Sequence, residues 1–202
     1  MTQPPPIHLA SPAVTGPSPQ HLVQISEARA RGKAIQRCAA VANFSGWTIA
    51  IFGALTVITS IGSLIGLILG VGMCVLSHFE FKGAKEIRRL DPAAPKRLAR
   101  NQMILAGLVL IYSVGSLYSA LTQPGALQQA AGNDVQLNSM LAPWEGFERM
   151  AYIAIYSTMV AAAILGCGGT ALYYARKKPQ IEAYLRETPP WIVELQQAGM
   201  SV

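Results

Sequence analysis

The sequence predicts an all-α integral membrane protein with four transmembrane helices, the first two of which form a tight hairpin. Apolar residues make up 51% of the 202 residues and charged residues only 13%, which is too few to cover a water-soluble globule of this size. The charged residues are also grouped into blocks separated by long stretches that contain none. Three of these stretches are strongly apolar, at residues 38–79, 101–121 and 150–175. Composition and charge spacing together therefore favour a membrane protein.

The first apolar stretch is long enough for two spans, because about 20 helical residues cross a bilayer core of about 30 Å. Small hydroxyl residues and a glycine interrupt its bulky aliphatic residues at positions 59–63. We expect the chain to reverse there, which gives spans at about residues 39–58 and 64–81. The second span is short, so it either extends into its flanking residues or crosses the bilayer where the bilayer is thinner. A re-entrant hairpin, which enters and leaves the membrane on one side, fits the same pattern.

The other two stretches each fit one span, at about residues 102–121 and 150–175. Orientation follows from Lys and Arg, which resist translocation. Fifteen of the 16 lie before the first span, between the second and third, or after the fourth; the segment 122–149, an expected outer connection of turns and apolar residues, holds only Arg149. We therefore expect a transmembrane domain at residues 38–178 in the cytoplasmic membrane of a bacterium, with both termini in the cytoplasm. A re-entrant hairpin gives the same charge distribution.

The segments that flank the transmembrane domain have three different compositions. Residues 1–20 contain six of the 13 prolines and no charged side chain, which is typical of a disordered tail. In residues 21–37, apolar residues recur at helical spacing among basic ones, which predicts a short amphipathic helix along the lipid headgroups. Residues 179–202 are expected to form a cytoplasmic tail with an interfacial helix, capped by Thr188 and begun by Pro189.

Glycines recur at the intervals that allow helices to pack closely. Gly62, Gly66 and Gly70 form a doubled G-x-x-x-G motif in the second span, and Gly46 and Gly53 lie one heptad apart in the first. Small residues let helix backbones approach each other, so these five glycines are predicted to line helix-packing faces. The motif fits packing within one chain and also association of copies into a homo-oligomer. Packing within the chain is favoured, because a four-helix bundle must first pack its own helices.

The connection between the second and third spans is the most basic part of the chain. Its seven cations are predicted to contact anionic lipid headgroups or a protein partner: Lys82, Lys85, Arg88, Arg89, Lys96, Arg97 and Arg100. Each well-placed cation near an anionic membrane contributes about 1 kcal/mol. A simple topology signal accounts for the same charges. Binding to nucleic acid is not expected, because aromatic residues do not interleave with the cations.

No catalytic motif is present in the sequence. The G-x-S-x-G, H-E-x-x-H and P-loop patterns are absent, and the apolar stretches carry no Asp, Glu, Lys or Arg that would mark a proton or ion path. Cys74 and His78 lie four residues apart, but a zinc site usually needs four convergent donors, so neither a metal nor a cofactor is predicted.

The sequence therefore predicts a non-enzymatic multi-pass membrane protein. We expect a scaffold or accessory subunit whose basic cytoplasmic face meets the lipid bilayer and a membrane or cytoplasmic protein partner. The alternative is an oligomeric channel or small-solute transporter assembled through the glycine-lined helix faces.

Overall fold

The computed structural model describes residues 18–200, and all the regular elements in this range are helices. They are α1 (Pro19–Thr59), α2 (Leu64–Arg88), α3 (Ala94–Thr122), α4 (Ala126–Ala131), α5 (Val135–Ala161), a π-helical segment (Ala162–Cys167), α6 (Gly168–Ala175), α7 (Lys178–Glu187) and α8 (Pro190–Gln197). Four stretches are long and apolar enough to cross a membrane: Pro19–Thr59, Leu64–Arg88, Ala94–Thr122 and Val135–Glu187. This confirms an all-helical fold with four helices of membrane-spanning length. Most of the tail predicted at residues 1–20 lies outside the described residues.

A tight hairpin joins α1 and α2 at residues 60–63, where the sequence predicts a reversal. The backbone N–H of Ser60 still donates to the Thr56 carbonyl at 2.9 Å, which completes the last turn of α1. Ser63 caps α2, because its side chain accepts a hydrogen bond from the Gly66 N–H at 3.3 Å. Gly62 has a φ of +101°, in the region that glycine adopts without steric cost.

The amphipathic helix predicted at residues 21–37 is not a separate element. These residues form the first part of α1, which continues without a break into the apolar stretch. Ala28 and Ile35 are buried in the protein core, and a Cβ atom at Gly32 would lie 3.6 Å from the Tyr184 ring of α7. The apolar side chains of this segment therefore pack partly on the protein's own C-terminal helices. The sequence pattern does not distinguish such packing from contact with headgroups.

The segment 122–149 is more helical than the sequence predicts. It contains α4, and α5 begins at Val135 rather than near residue 150. Asp134 begins α5, because its Oδ1 accepts hydrogen bonds from the N–H groups of residues 136 and 137 at 2.9 and 3.1 Å. Pro143 lies inside α5 without ending it. The fourth membrane-length helix therefore extends well beyond the predicted span.

The protein core is concentrated at the end of the bundle that carries residues 82–100, which we call the basic end. There the first part of α1 meets the end of α2, the start of α3, and α6, α7 and α8. The buried side chains include Ile35, Cys38, Ile87, Leu90, Leu98, Tyr174, Ile181, Tyr184 and Ile192. A second, smaller cluster further along the bundle joins Ile49, Leu76 and Leu105. By contrast, α5 has no buried residue.

The last helix packs on this core, and the cap predicted for it is wrong. α8 begins at Pro190 with Pro189 in the capping position, one residue later than predicted. Thr188 does not cap it: the Thr188 hydroxyl is buried and has no hydrogen-bond partner among the described residues. Ile192 is fully buried, and Trp191 packs beside it. Ile192 and Trp191 of α8 therefore pack against protein, and the location of α8 at the membrane interface stays a prediction.

Candidate functional site at the basic end

A buried glutamate lies between the helices at the basic end. Glu80 of α2 is 0% exposed. Its Oε1 accepts hydrogen bonds from Asn101 Nδ2 at 2.7 Å and from Gln102 Nε2 at 3.0 Å, and its Oε2 accepts one from the Tyr174 hydroxyl at 3.4 Å. No Lys, Arg or His of the described residues forms an ion pair with this carboxyl group. Neutral donors alone therefore satisfy it.

The hydrogen bonds around Glu80 connect all four membrane-length helices. Asn101 Nδ2 also donates to the Leu76 carbonyl of α2 at 3.1 Å, and Gln102 Nε2 donates to the Ser45 hydroxyl of α1 at 2.8 Å. α3 supplies both carboxamides, and α6 supplies the Tyr174 hydroxyl. A buried network of this kind makes other helix registers unfavourable, because a shift would leave these donors and acceptors unpaired.

Sequence reasoning missed this network. Glu80 directly follows the uncharged stretch 38–79 and precedes Lys82, so it reads as the first residue of a solvated basic segment. A helical signal was nevertheless present: Leu76, Ala84 and Ile87 lie four before, four after and seven after Glu80, and all three are buried on the same face of α2. The predicted second span, residues 64–81, therefore contains one buried acidic side chain, although the uncharged stretch 38–79 contains none. An ionisable group inside a membrane-length helix marks a candidate functional position.

The seven cations predicted to contact lipid or a partner are all exposed. Arg97 is paired: its guanidinium contacts Glu86 Oε2 at 2.9 Å and also Asp91 Oδ2. Hydrogen bonds to Asp91 and then to Glu86 raise the pKa of Arg97, which lies outside the predicted spans. The other six have no ion-pair partner in the part of the chain that the structure describes: Lys82, Lys85, Arg88, Arg89, Lys96 and Arg100. Arg97 therefore stabilises the α2–α3 turn, and six cations stay unpaired.

The turn between α2 and α3 joins the two helices that carry five of these six cations, and Arg89 lies in the turn itself. Leu90 has a φ of +61°, a left-handed conformation that costs a non-glycine residue about 1–2 kcal/mol. Burial of its side chain in the core offsets that cost. Asp91 then begins the turn into α3, since its Oδ1 accepts a hydrogen bond from the Ala93 N–H at 2.8 Å.

Two grooves flank α2 at the basic end. The α1–α2 groove has a volume of about 530 Å³ and is lined by Asn43 and Trp47 of α1 and by His78, Phe81, Lys82, Ala84, Lys85 and Arg88 of α2. The smaller α2–α3 groove, of about 270 Å³, is lined by Lys82, Glu86, Arg97 and Arg100 among others. The predicted cations thus divide: three share the first groove, and Arg89 and Lys96 line neither.

A third cavity lies at the opposite end of the bundle, beside α4. It has a volume of about 770 Å³, and Glu148, Arg149 and Tyr152 contribute to its lining. The Glu148 carboxylate accepts hydrogen bonds from the N–H groups of Ala126 and Leu127 at 2.8 and 3.3 Å, so it caps the start of α4. These contacts give Glu148 a structural role at this end.

Two of the glycines predicted to pack helices face each other inside the hairpin. A Cβ atom at Gly70 of α2 would lie 2.7 Å from Val57 Cγ2, 2.8 Å from the Val57 backbone nitrogen and 3.0 Å from the Gly53 carbonyl oxygen. A Cβ atom at Gly53 of α1 would lie 3.0 Å from Met73 Cβ. The space between α1 and α2 at this level does not accommodate a side chain at either position.

The remaining three glycines have different surroundings. A Cβ atom at Gly46 would lie 2.9 Å from the Phe81 ring, and one at Gly66 would lie 2.7 Å from Ser60 Cβ. Gly62 differs from the prediction, because it lies in the turn before α2 begins and no atom is within 4 Å of a Cβ atom built there. Its positive φ explains the glycine at this position.

The three cysteines are free thiols in this structure. Cys38 is buried, and Cys74 and Cys167 are half-buried. Between residues 18 and 200, no group of three or more His, Cys, Asp or Glu residues is arranged to hold a metal ion. Of the two grooves at the basic end, the α1–α2 groove has unpaired cations and no acidic residue in its lining, whereas the α2–α3 groove includes Glu86.

Comparisons with protein-family models, with curated proteins and with solved structures find no match. The fold by itself defines the class: an all-helical protein with four helices long and apolar enough to cross a membrane. Its more specific function is inferred from the geometry of the basic end.

Proposed function

We propose that this is a non-enzymatic multi-pass integral membrane protein that acts as a scaffold or accessory subunit and presents its basic end in the cytoplasm. The observation that carries the proposal is the contrast between the exposed apolar surface of the membrane-length helices and the exposed cations at the basic end. In the most apolar part of the fourth membrane-length helix only 6% of residues are buried, and in the second only 33% are. Such large exposed apolar surfaces are stable when they face lipid.

The charges fit the same orientation. At the basic end, six cations of the segment 82–100 have no ion-pair partner among the described residues, whereas the segment 122–149 at the other end contains Asp134, Glu145 and Glu148 with only Arg149. Positively charged connections stay on the cytoplasmic side of a membrane. This supports a cytoplasmic location for both termini.

Helix lengths support a hairpin that fully crosses the membrane. Glu80 and Asn101 lie at one level, since they are hydrogen-bonded. From that level α2 extends about 25 Å to the hairpin turn, and α3 extends about 31 Å to Thr122, at 1.5 Å per residue. The hairpin turn therefore lies within about one helical turn of the outer end of α3. A re-entrant hairpin would be expected to stop well short of it.

The Glu80 network supports a structural rather than a catalytic role for that residue. Its carboxyl group is enclosed on all sides, and neither groove at the basic end is lined by it. It joins α2, which carries three of the exposed cations, to α3 and α6. We infer that the network holds the helices that carry the basic surface in fixed relative positions.

The glycines favour the scaffold over a channel or transporter assembled through the same faces. Gly53 of α1 packs against α2, and Gly70 of α2 packs against α1, so neither glycine offers a free face to a second copy of the chain. We propose that these glycines, together with Gly46 and Gly66, pack α1 against α2 within one chain.

Isolation of the full chain from native membranes in mild detergent tests the proposal. We expect a stoichiometric protein partner or an enriched anionic lipid to co-purify with the chain. This partner or lipid should be lost when all six unpaired cations of the segment 82–100 are replaced by Gln. A chain that retains neither protein nor lipid would contradict the proposal. Solute flux through vesicles that contain only the purified chain would support the channel instead.

A further inference from the structure

We propose that the α1–α2 groove binds the headgroup phosphate of an anionic phospholipid, with an acyl chain along the adjoining helix surfaces. This inference rests on the proposed function, because a membrane lipid reaches the groove only if α1 and α2 lie in the bilayer. The groove volume of about 530 Å³ falls within the range of about 300–1,000 Å³ that is usual for ligand sites.

The charge of the groove suits a phosphodiester. Lys82, Lys85 and Arg88 follow at three-residue intervals on one side of α2, and all three line the groove. None of them forms an ion pair with a described residue, and no Asp or Glu lines the groove. The α2–α3 groove differs, because it contains Glu86 and the paired Arg97. The positive charge of the α1–α2 groove is therefore uncompensated and available to an anion.

The aromatic side chains in this groove are of the kind that concentrates at a membrane surface. The Trp47 and Phe81 rings meet edge to face, with centroids 5.5 Å apart and an interplanar angle of 74°. Phe81 approaches α1 closely at Gly46, which has no side chain to obstruct the ring. Trp47 itself is 59% exposed. Tryptophan concentrates at the boundary between headgroups and hydrocarbon, which is also where a lipid phosphate lies.

Exposed apolar residues continue from the groove toward the hairpin turn. On α1, Ile51 and Leu55 follow Trp47 at four-residue intervals. On α2, Val75 and Val71 precede His78 by three and seven residues. All four are exposed large apolar side chains on the helix faces that lead into the groove. A cationic site that opens onto an apolar track matches an amphiphile, and a free phosphate ion would leave the track unused.

Thermal unfolding of the purified full chain in a neutral detergent tests this inference. The wild type is compared in added phosphatidylglycerol, phosphatidylcholine and inorganic phosphate. The groove variant K82Q/K85Q/R88Q removes three cations from the site; the control variant R89Q/K96Q/R100Q removes three from the same basic segment outside it. We expect phosphatidylglycerol alone to raise the midpoint of the wild type and of the control. The apparent affinity for phosphatidylglycerol should fall about 100-fold in the groove variant, because three cations that attract the anionic headgroup are removed together.

Each other outcome has a distinct meaning. An equal loss of affinity for phosphatidylglycerol in both triple variants would overturn a specific site in the groove. Lipid would then bind to a diffuse basic surface, which is still consistent with the proposed function. Stabilisation by inorganic phosphate as strong as by phosphatidylglycerol would overturn a lipid in favour of a free anion. Full extraction of the chain from membranes by alkaline carbonate would refute the proposed function itself. The single substitution Lys85→Gln, with Lys85→Arg as its charge-retaining control, repeats the test if the triple variant does not fold.

Discussion

Replacement of Gly70 by alanine should destabilise the α1–α2 hairpin, although alanine is the better helix former. The new Cβ atom would lie 2.7 Å from Val57 Cγ2, 2.8 Å from the Val57 nitrogen and 3.0 Å from the Gly53 carbonyl oxygen. Two of these three atoms belong to backbone and cannot rotate away, so the helices must separate. Such overpacking costs about 1–3 kcal/mol.

The magnitude follows from this cost and from the gain in helix propensity. Alanine gains about 0.5–1 kcal/mol over glycine inside a helix. The net effect of Gly70→Ala is therefore a loss of up to about 2.5 kcal/mol. Gly107 in α3 provides a matched control, because no atom lies within 4 Å of a Cβ atom built there. Gly107→Ala should be neutral or stabilising by up to about 1 kcal/mol.

Unfolding of the purified chain by increasing sodium dodecyl sulfate in mixed micelles, followed by circular dichroism, measures both free energies. Gly70→Ala should unfold at a lower detergent fraction than the wild type, and Gly107→Ala at the same or a higher one. Removal of the Val57 methyl groups in Val57→Ala/Gly70→Ala should recover only part of the loss, since the backbone contacts remain. If the Gly70 and Gly107 variants proved equally stable, the close approach of α1 and α2 would be refuted.

Three further predictions concern the network, the last helix and the orientation. Glu80→Ala should destabilise the bundle by about 1–3 kcal/mol, because the buried amides of Asn101 and Gln102 lose their shared acceptor; Glu80→Gln, which keeps an acceptor oxygen, should lose less in the same unfolding assay, and equal losses would contradict the network. Ile192→Ala should cost about 2–5 kcal/mol in thermal unfolding, since Ile192 is fully buried; an unchanged midpoint would mean that α8 does not pack on the core. In a cysteine-free background, single cysteines at positions 88 and 129 should react with an impermeant maleimide from opposite sides of sealed vesicles, and labelling from one side would rule out the proposed orientation.

The number of membrane-length helices and the position of the hairpin could be predicted from the sequence because both depend on local properties. A run of about 20 apolar residues without charge suffices to indicate a helix of that length. Residues 60–63 form the turn for an equally local reason, since small and hydroxyl residues interrupt the aliphatic ones there. The start of α5 was harder to predict from the sequence, because the cap at Asp134 lies in a segment that also contains turn signals and Pro143.

The sequence by itself determined that this chain is helical, apolar along four stretches and basic between the second and third. Only the tertiary structure decided which polar and charged groups have partners. Glu80 is bound by donors 21, 22 and 94 residues away in the chain. Arg97 is paired with two carboxylates, and Lys82, Lys85 and Arg88 have no ion-pair partner between residues 18 and 200. The physical reason is that hydropathy and helix propensity act on neighbouring residues, whereas the burial and pairing of a charge depend on which distant helices pack beside it.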